Sequence, residues 1–307
     1  MTSGSSLRIG TRDSALALYQ TKEVQGLLNR LNVQSEIVEI TSDGDQDLST
    51  PLYEMGIQGI FTKSLDIALL QNRIDLAVHS IKDIPTKLAQ GLTISAMLKR
   101  GSSADCLVLP AGKSSIEFSK ELKIATSSLR RKSQWLGRYP DHILENLRGN
   151  VQTRLDKLDN SDWNGAIFAQ AALERLSVSS HTFITLNWML PSPGQGAIGI
   201  VCRIDDEATL KVCSSFHDGP TGICVSAERD FLAALQGGCA VPIAAHAQIE
   251  NGKLLFKGNV FSLDATQKCE VEMRFEMDQA DKVGKIAAQE ILRTGGIEII
   301  KTFRPSF

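Results

Sequence analysis

The chain has 307 residues, 42% of them hydrophobic, and its 33 lysines and arginines stand against 35 aspartates and glutamates, giving a net charge of −2. This length is typical of two or three domains, the balanced charge argues against a nucleic-acid-binding protein, and no apolar stretch approaches the roughly 20 residues of a membrane span. Six cysteines and five histidines are scattered without a C-x-x-C pair and the N-terminus is short and polar, so we expect a cytoplasmic protein without disulfides or a bound metal.

The first third of the chain alternates strand and helix patterns. Strand-like residues at 7–10 precede a helical pattern from Ser14 to Leu31, and a second strand-like run covers residues 36–40. A further helix is predicted over 62–71, and the apolar run at 74–78 indicates a buried strand. This alternation is typical of a largely parallel sheet covered by helices.

A second strand–helix series follows the flexible segment 100–105 and ends near Pro191–Gly194. Its strand-like runs lie at 123–125 and 165–169. Because segments rich in turn residues bracket this block, we predict an inserted domain, with Gly196–Val201 returning to the first sheet. We expect the two domains to flank a cleft that holds a ligand.

The pattern changes again beyond Pro220. A helix over about 224–235, three alternating strands between 243 and 275, and a last helix over about 280–293 predict a smaller α+β domain with an antiparallel sheet. The predicted domains are residues 1–99 with 196–216, residues 103–192, and residues 220–307.

A basic cluster stands out in this slightly acidic chain. Five arginines and one lysine against two acids lie between Thr126 and Arg154. Guanidinium groups bind carboxylates and phosphates bidentately, so the cluster indicates a ligand with several anionic groups, although solvated helix faces are the alternative. The turns Thr126–Ser128 and Gly149–Asn150 favour binding, because each is typical of a strand passing into a helix whose N-terminus attracts anions.

Three further segments could carry chemistry. Arg12 and Ser14 follow the first strand at another such turn, where Ser14 is either an anion ligand or only a helix N-cap. Asp83 follows a buried strand and is either a general acid–base group or the partner of Lys82 in a surface pair. Cys239, after two glycines, is either a reactive thiol or an inert small hydrophobe.

Taken together, these segments closely resemble the porphobilinogen deaminases, also called hydroxymethylbilane synthases. The resemblance extends nearly end to end and implies two βα domains of the periplasmic-binding-protein type flanking a cleft, plus a smaller α+β C-terminal domain. The matching motifs are Leu7–Arg12 with Ser14, Ala77–Pro85, Thr126–Arg131, Leu147–Arg154, Pro191 with Gly194–Ala197, and Gly237–Cys239.

The resemblance implies a monomeric cytoplasmic transferase of tetrapyrrole (porphyrin and haem) biosynthesis. Such an enzyme joins four porphobilinogens head to tail, releases ammonia at each addition, and hydrolyses the product to hydroxymethylbilane for uroporphyrinogen-III synthase. The implied cofactor is a dipyrromethane, attached through a thioether to the residue that matches Cys239. It primes the growing chain and stays on the enzyme.

The resemblance also implies roles for individual residues. Asp83 matches the catalytic acid, whose carboxyl group stabilises the azafulvenium left by loss of ammonia and shuttles protons. The carboxylates of the pyrroles explain the basic cluster. The implied cofactor-binding residues, besides Cys239, are Lys82, Thr126, Ser128, Arg130 and Arg131, and the implied substrate-binding residues are Arg12, Ser14, Arg148, Arg154 and Gln195.

The chain departs from the family pattern at a few positions. Gln58 stands where a lysine is usual, in the segment Gly56–Asp66, which looks like a lid. Ala125 replaces a common glycine, and Gln170 and Ala172 alter a usually Ala- and Gly-rich turn. None of these changes removes a catalytic group, so we expect an active enzyme.

The main alternative function is a non-catalytic two-domain module that binds anions. Fold alone does not exclude it. Such a module needs neither Asp83 nor a third domain with Cys239, so these two features favour the enzyme.

Overall fold

The computed structural model describes residues 6–41, 62–236 and 241–303. The chain divides into two compact units, one of residues 1–47, 57–101 and 197–222, the other of residues 48–56, 102–196 and 223–307. Among the described residues, no helix is both long enough and apolar enough to cross a membrane. Cys239 and Gln58, with most of the predicted lid, lie outside the described residues.

The predicted helices and strands are present in the predicted order, and the structure adds elements that the sequence pattern did not indicate, at residues 92–97, 105–108, 143–145, 183–185 and 207–214. In the first part they are β1 (Leu7–Thr11), α1 (Ala15–Arg30), β2 (Ser35–Glu39), α2 (Lys63–Leu70), β3 (Leu76–Ser80) and β4 (Leu92–Met97). The middle part contains β5 (Asp105–Val108), β6 (Lys123–Ala125), α3 (Leu129–Arg138), β7 (Ile143–Glu145), α4 (Val151–Asp159), β8 (Gly165–Ala169), α5 (Gln170–Arg175) and β9 (Phe183–Thr185). The last part contains β10 (Ile198–Arg203), α6 (Glu207–Ser214), α7 (Gly219–Ala234), β11 (Ile243–Glu250), β12 (Lys253–Phe261), β13 (Lys268–Glu276), α8 (Val283–Ile291) and α9 (Ile297–Phe303).

The first unit contains a five-stranded mixed sheet in the order β2-β1-β3-β10-β4. Strands β1, β2 and β3 are parallel, whereas β10 runs antiparallel to both β3 and β4. The predicted return of the chain to the first sheet is therefore confirmed. Because β1 and β3 are parallel neighbours, the residues that follow them lie at the same edge of the sheet.

The second unit contains two sheets. The larger has the order β7-β6-β8-β5-β9, with β6, β7 and β8 parallel, and β5 antiparallel to its neighbours. The smaller is the antiparallel sheet β11-β12-β13, as predicted, and one of its faces packs on α7, α8 and α9 around Phe231 and Phe256. Its other face contacts α3, where a Cβ added at Gly137 would lie 2.9 Å from the ring of Phe261.

Two helix predictions were only partly right. Helix α7 begins at Gly219, earlier than predicted, because Pro220 is compatible with the first turn of a helix, where a backbone N–H has no partner to lose. The predicted last helix, over about 280–293, corresponds to α8, and after a π-turn over Leu292–Gly296 it is followed by a further helix, α9, that was not predicted. The chain bends there because Gly295 adopts a φ of 106°, in the left-handed region that favours glycine.

Glu228 connects the loop that contains Gly194 with strand β11 inside the second unit. Its side chain is fully buried on α7, and its carboxylate accepts the N–H groups of Gly194 (2.7 Å) and Ala247 (2.8 Å).

Glu228→Ala should lower the free energy of unfolding by about 2 to 3 kcal/mol, because buried N–H groups would lose a charged acceptor. Urea unfolding followed by tryptophan fluorescence measures this, since all three tryptophans lie in residues 102–196.

The control for Glu228→Ala is Ser226→Ala, at an exposed position of the same helix. We expect the urea midpoint of this control to stay at the wild-type value. A urea midpoint for Glu228→Ala equal to that of this control would show that the two hydrogen bonds of Glu228 do not stabilise the fold.

Candidate active site

Two strand-to-helix turns lie side by side in the second unit. The parallel pairing of Ala125 with Glu145 places the ends of β6 and β7 together, so the turn before α3 and the turn before α4 are neighbours. Ser127 joins the turns: its Oγ accepts the N–H of Leu147 (3.0 Å) and donates to Asn146 Oδ1 (2.6 Å). The prediction that both segments are strand-to-helix turns is confirmed.

Both helices begin with a capped N-terminus at this edge. Ser128 is the N-cap of α3, where its Oγ accepts the N–H of Arg131, and Asn150 is the N-cap of α4, where its Oδ1 accepts the N–H of Thr153 (2.9 Å). A helix N-terminus carries partial positive charge and free N–H groups, so two of them at one edge create a region that attracts anions.

The second turn also carries two of the predicted substrate-binding arginines. Arg148 is buried, with 4% of its surface exposed, while Arg154 is half-buried and donates from Nε to the carbonyl of Gly149 (2.7 Å). Gly149 has a φ of 114°, and a Cβ there would lie 2.7 Å from Thr153. A residue with a side chain would therefore disturb the turn that presents both arginines.

Arg130 and Arg131 lie on the first turn of α3 and bind a buried carboxylate of their own chain. Arg130 Nη1 donates to Asp105 Oδ2 (2.7 Å) and to the carbonyl of Leu190 (2.7 Å). Arg131 donates from Nε (3.0 Å) and Nη2 (2.7 Å) to Asp105 Oδ1, and from Nη1 to the carbonyl of Ile167 (2.9 Å). Their predicted contact with a cofactor stays a prediction, and these bonds fix where the guanidinium groups lie.

Gln195 contacts the same carboxylate. Its Nε2 donates to Asp105 Oδ1 (2.9 Å) and to the carbonyl of Ser103 (2.8 Å). Burial alone would raise the pKa of Asp105, but Arg130 and Arg131, helped by Gln195, hold it well below the usual range. Asp105 is thus an anion that brings three predicted site residues together.

Sequence analysis missed Asp105 as a functional residue. The available signal was an acidic side chain at the first position of β5, a strand whose four residues are all buried. A charged residue in such a position is rarely found without a partner, so it indicates buried cations nearby.

The first unit brings the remaining predicted residues to one edge of its sheet. Arg12 and Ser14 follow β1, while Lys82 and Asp83 lie in a 3-10 turn directly after β3. Ser14 is the N-cap of α1, where its Oγ accepts the N–H of Ala17 (3.3 Å).

Asp83 and Lys82 are half-buried. The turn that carries them is closed by the N–H of Ile84, which donates to the carbonyl of Ile81 (3.0 Å), and Pro85 prevents a longer helix. Asp83 is therefore held at the edge of the sheet by a short rigid turn.

The comparisons with known proteins agree with one another. A family model described as porphobilinogen deaminase, dipyromethane cofactor binding domain, matches residues 7–211, and one described as porphobilinogen deaminase, C-terminal domain, matches residues 222–293. The chain belongs to the porphobilinogen deaminase family. Porphobilinogen deaminase of Syntrophotalea carbinolica is 40% identical over 302 residues, covering 97% of this chain and 96% of that protein. That of Desulforamulus reducens is 39% identical over 302 residues, covering 97% and 98%.

Similarity to solved structures is weaker. An arginine periplasmic binding protein of Legionella pneumophila has a TM-score of 0.39 and 14% identity, covering 68% of this chain and 91% of that one. An ancestral cationic amino acid solute binding protein has a TM-score of 0.42 and 11% identity, covering 69% and 87%. Both TM-scores are below 0.5. The sheet orders given above show the α/β fold of this chain without these structures.

The residues of the second unit fit the dipyrromethane of the porphobilinogen deaminase family. Its side chains are carboxylates, and the paired helix N-termini, with the hydroxyl groups of Thr126 and Ser128, are donors suited to carboxylates. Among the described residues, no group of three or more histidines, cysteines or acids could hold a metal ion.

Proposed function

We propose that this chain catalyses the reaction of its family, the stepwise head-to-tail condensation of four porphobilinogens into hydroxymethylbilane on a covalent dipyrromethane primer. The observation that carries the proposal is the pair of adjacent helix N-termini with arginines beside them in a chain of net charge −2. A growing oligopyrrole gains an acetate and a propionate with every unit, so such a cluster of donors is what the product requires.

In this proposal the residues of the second unit bind carboxylates. Thr126, Ser128, Arg130 and Arg131 would hold the dipyrromethane attached at Cys239, which supplies the pyrrole that accepts the first substrate. Arg148, Arg154 and Gln195 would bind the carboxylates of incoming units. Because Arg130 and Arg131 share the negative charge of Asp105, the three groups together carry one positive charge.

Residues of the first unit would carry out proton transfer. Arg12 and Ser14 would bind a substrate carboxylate, and Lys82 would contact the cofactor. The Asp83 carboxyl group donates a proton to the departing amine, so that ammonia leaves as the C–N bond breaks. Its carboxylate then stabilises the positive charge on the substrate pyrrole and takes up the proton released when the new C–C bond forms.

We further propose that the enzyme acts as a cytoplasmic monomer and that uroporphyrinogen-III synthase consumes its product. We also propose three domains, consisting of residues 1–99 with 196–216, residues 103–192, and residues 220–307. The similarity to porphobilinogen deaminases over 97% of the chain supports these proposals, while the alternative of a non-catalytic anion-binding module is not favoured.

The test is the intact mass of the purified protein before and after a brief incubation with porphobilinogen. We expect an initial excess of two deaminated porphobilinogen units on the Cys239 peptide, followed by a ladder of single additions. Cys239→Ser should carry neither the excess nor the ladder. A wild-type protein that keeps its bare mass, even after hydroxymethylbilane is supplied to build the cofactor, would contradict the proposed function. A Cys239→Ser variant with the full adduct would place the attachment elsewhere.

A further inference from the structure

His79 lies on β3, and no step described above uses its ring. Side chains alternate across a strand, and Leu76 and Val78 face the core shared with α1, so His79 faces the opposite side of the sheet. That side is tightly packed with apolar groups: a Cβ added at Gly199, the residue paired with His79, would lie 2.2 Å from the side chain of Ile81. The imidazole therefore lies in apolar surroundings.

Among the described residues, the ring nitrogen Nε2 of His79 has no hydrogen-bond partner. Only 5% of the residue surface is exposed, and none of the described residues forms a hydrogen bond with this buried atom. Buried polar atoms are nearly always hydrogen-bonded, because leaving one unbonded destabilises the fold. A buried nitrogen near a binding edge that the described part of the chain leaves unbonded is a candidate for a hydrogen bond to a ligand.

Arg12 is the charged neighbour of His79. Strands β1 and β3 pair Gly10 with Ala77, and continuing that parallel register places Arg12 beside His79. Burial, and then the charge of Arg12, lower the pKa of His79 to about 4. The ring is therefore neutral at physiological pH and has one N–H donor to offer.

We infer that Nε2 of His79 donates a hydrogen bond to the porphobilinogen carboxylate that Arg12 binds. This inference rests on the proposed function and adds a substrate-binding residue to it. A carboxylate has enough lone pairs to accept from a guanidinium group and an imidazole together. A neutral donor fixes the orientation of the carboxylate without adding a second positive charge, so a substrate that must move on after each addition is not held too tightly.

The test is the variant His79→Phe, which keeps an aromatic ring but removes the donor. We expect kcat/KM for porphobilinogen to fall about tenfold or more, mainly through a higher KM, because a hydrogen bond to a charged group is lost in binding. His79→Gln, whose amide nitrogen reaches roughly to the position of Nε2, should recover most of the loss. In an enzyme that already carries Arg12→Gln, His79→Phe should lower kcat/KM by a smaller factor than it does in the wild type, because both residues would bind one carboxylate.

Stability separates binding from a structural role. Without substrate, the melting temperature of His79→Phe should fall less than that of a variant that loses hydrogen bonds of a buried histidine, because both must accommodate a larger ring but His79 Nε2 has no bond among the described residues to lose. The matched control is His142→Phe: that ring is also buried but bonded, since Nδ1 accepts from Trp135 Nε1 (3.1 Å) and Nε2 lies 3.3 Å from the carbonyl of Phe118. This control should melt at a lower temperature and keep the wild-type KM.

Three results would overturn the inference while the wild-type enzyme forms hydroxymethylbilane. They are a kcat/KM of His79→Phe within twofold of wild type, a glutamine variant no better than phenylalanine, and a melting temperature lowered as in His142→Phe. A wild-type protein that forms no product would instead contradict the proposed function.

Discussion

Replacing Asp83 with asparagine should lower kcat for hydroxymethylbilane formation by about 10²- to 10⁴-fold, the range typical of losing a positioned general acid–base group. Asparagine has nearly the same shape, so the 3-10 turn after β3 should persist and the dipyrromethane should still be attached. The amide neither donates a proton to the departing amine nor neutralises a cationic pyrrole. Stopped assays for product, with intact mass to count bound units, measure both effects.

The matched control for Asp83→Asn is Asp13→Asn. Asp13 is an exposed carboxyl group that follows β1 at the same edge of the first sheet, so its variant tests whether any loss of negative charge there lowers turnover. We expect Asp13→Asn to retain wild-type kcat. Asp83→Glu, which keeps a carboxyl group but moves it by one methylene, should fall between wild type and asparagine. Wild-type turnover in Asp83→Asn would remove this residue from the mechanism.

The sequence allowed many of the strands and helices to be predicted, because their signals were local. Ser14 and Ser128 precede helices as N-caps, and apolar runs such as 165–169 mark strands buried on both faces. Strand-to-helix turns could likewise be placed from their glycine and hydroxyl residues. Parallel pairing then brings such turns to one edge without any further information.

The contacts of the site could not be predicted, because they join residues distant in the chain. Asp105 lies 25 residues before Arg130 and 90 before Gln195, and nothing local in the sequence relates them. The sequence also does not distinguish an arginine that binds a ligand from an arginine that forms an ion pair inside the fold. Glu228 was missed for the same reason, since its partners are backbone N–H groups that carry no sequence signal.

Replacing Asp105 with asparagine should destabilise the second unit by about 3 to 5 kcal/mol, the cost of removing one partner from a buried ion pair. Asp105 is fully buried, and the side chains of Arg130 and Arg131 are only 5% and 7% exposed. Neither guanidinium group would have a counter-charge in the variant, and water could not replace it. Urea unfolding followed by tryptophan fluorescence measures the loss in this unit.

Asp75→Asn is the matched control, because Asp75 also contacts two arginines. It accepts from Arg8 at 2.7 Å and from Arg203 at 3.4 Å, but the side chain of Arg8 is 35% exposed. Solvent screens this pair, so the loss should be clearly smaller than for Asp105→Asn. Because Asp75 lies in the first unit and the tryptophans in the second, far-UV circular dichroism follows the urea unfolding of both variants. Equal losses of unfolding free energy in the two variants would show that burial does not increase the contribution of the Asp105 contacts to stability.

The pH dependence gives an independent measure of the same interaction. The folded-state pKa of Asp105 is lowered, so its contribution is complete above the unfolded pKa of about 4 and is lost as the pH falls toward the folded value. The urea midpoint of the wild type should therefore decrease below about pH 4, and Asp105→Asn should lack this part of the decrease. Cofactor loading tests the same carboxylate in another way. Because Arg130, Arg131 and Gln195 share it, we also expect a smaller fraction of Asp105→Asn chains to carry the dipyrromethane, as measured by intact mass. Full cofactor loading in a destabilised variant would mean that Asp105 supports the fold alone and does not position these three residues for the cofactor.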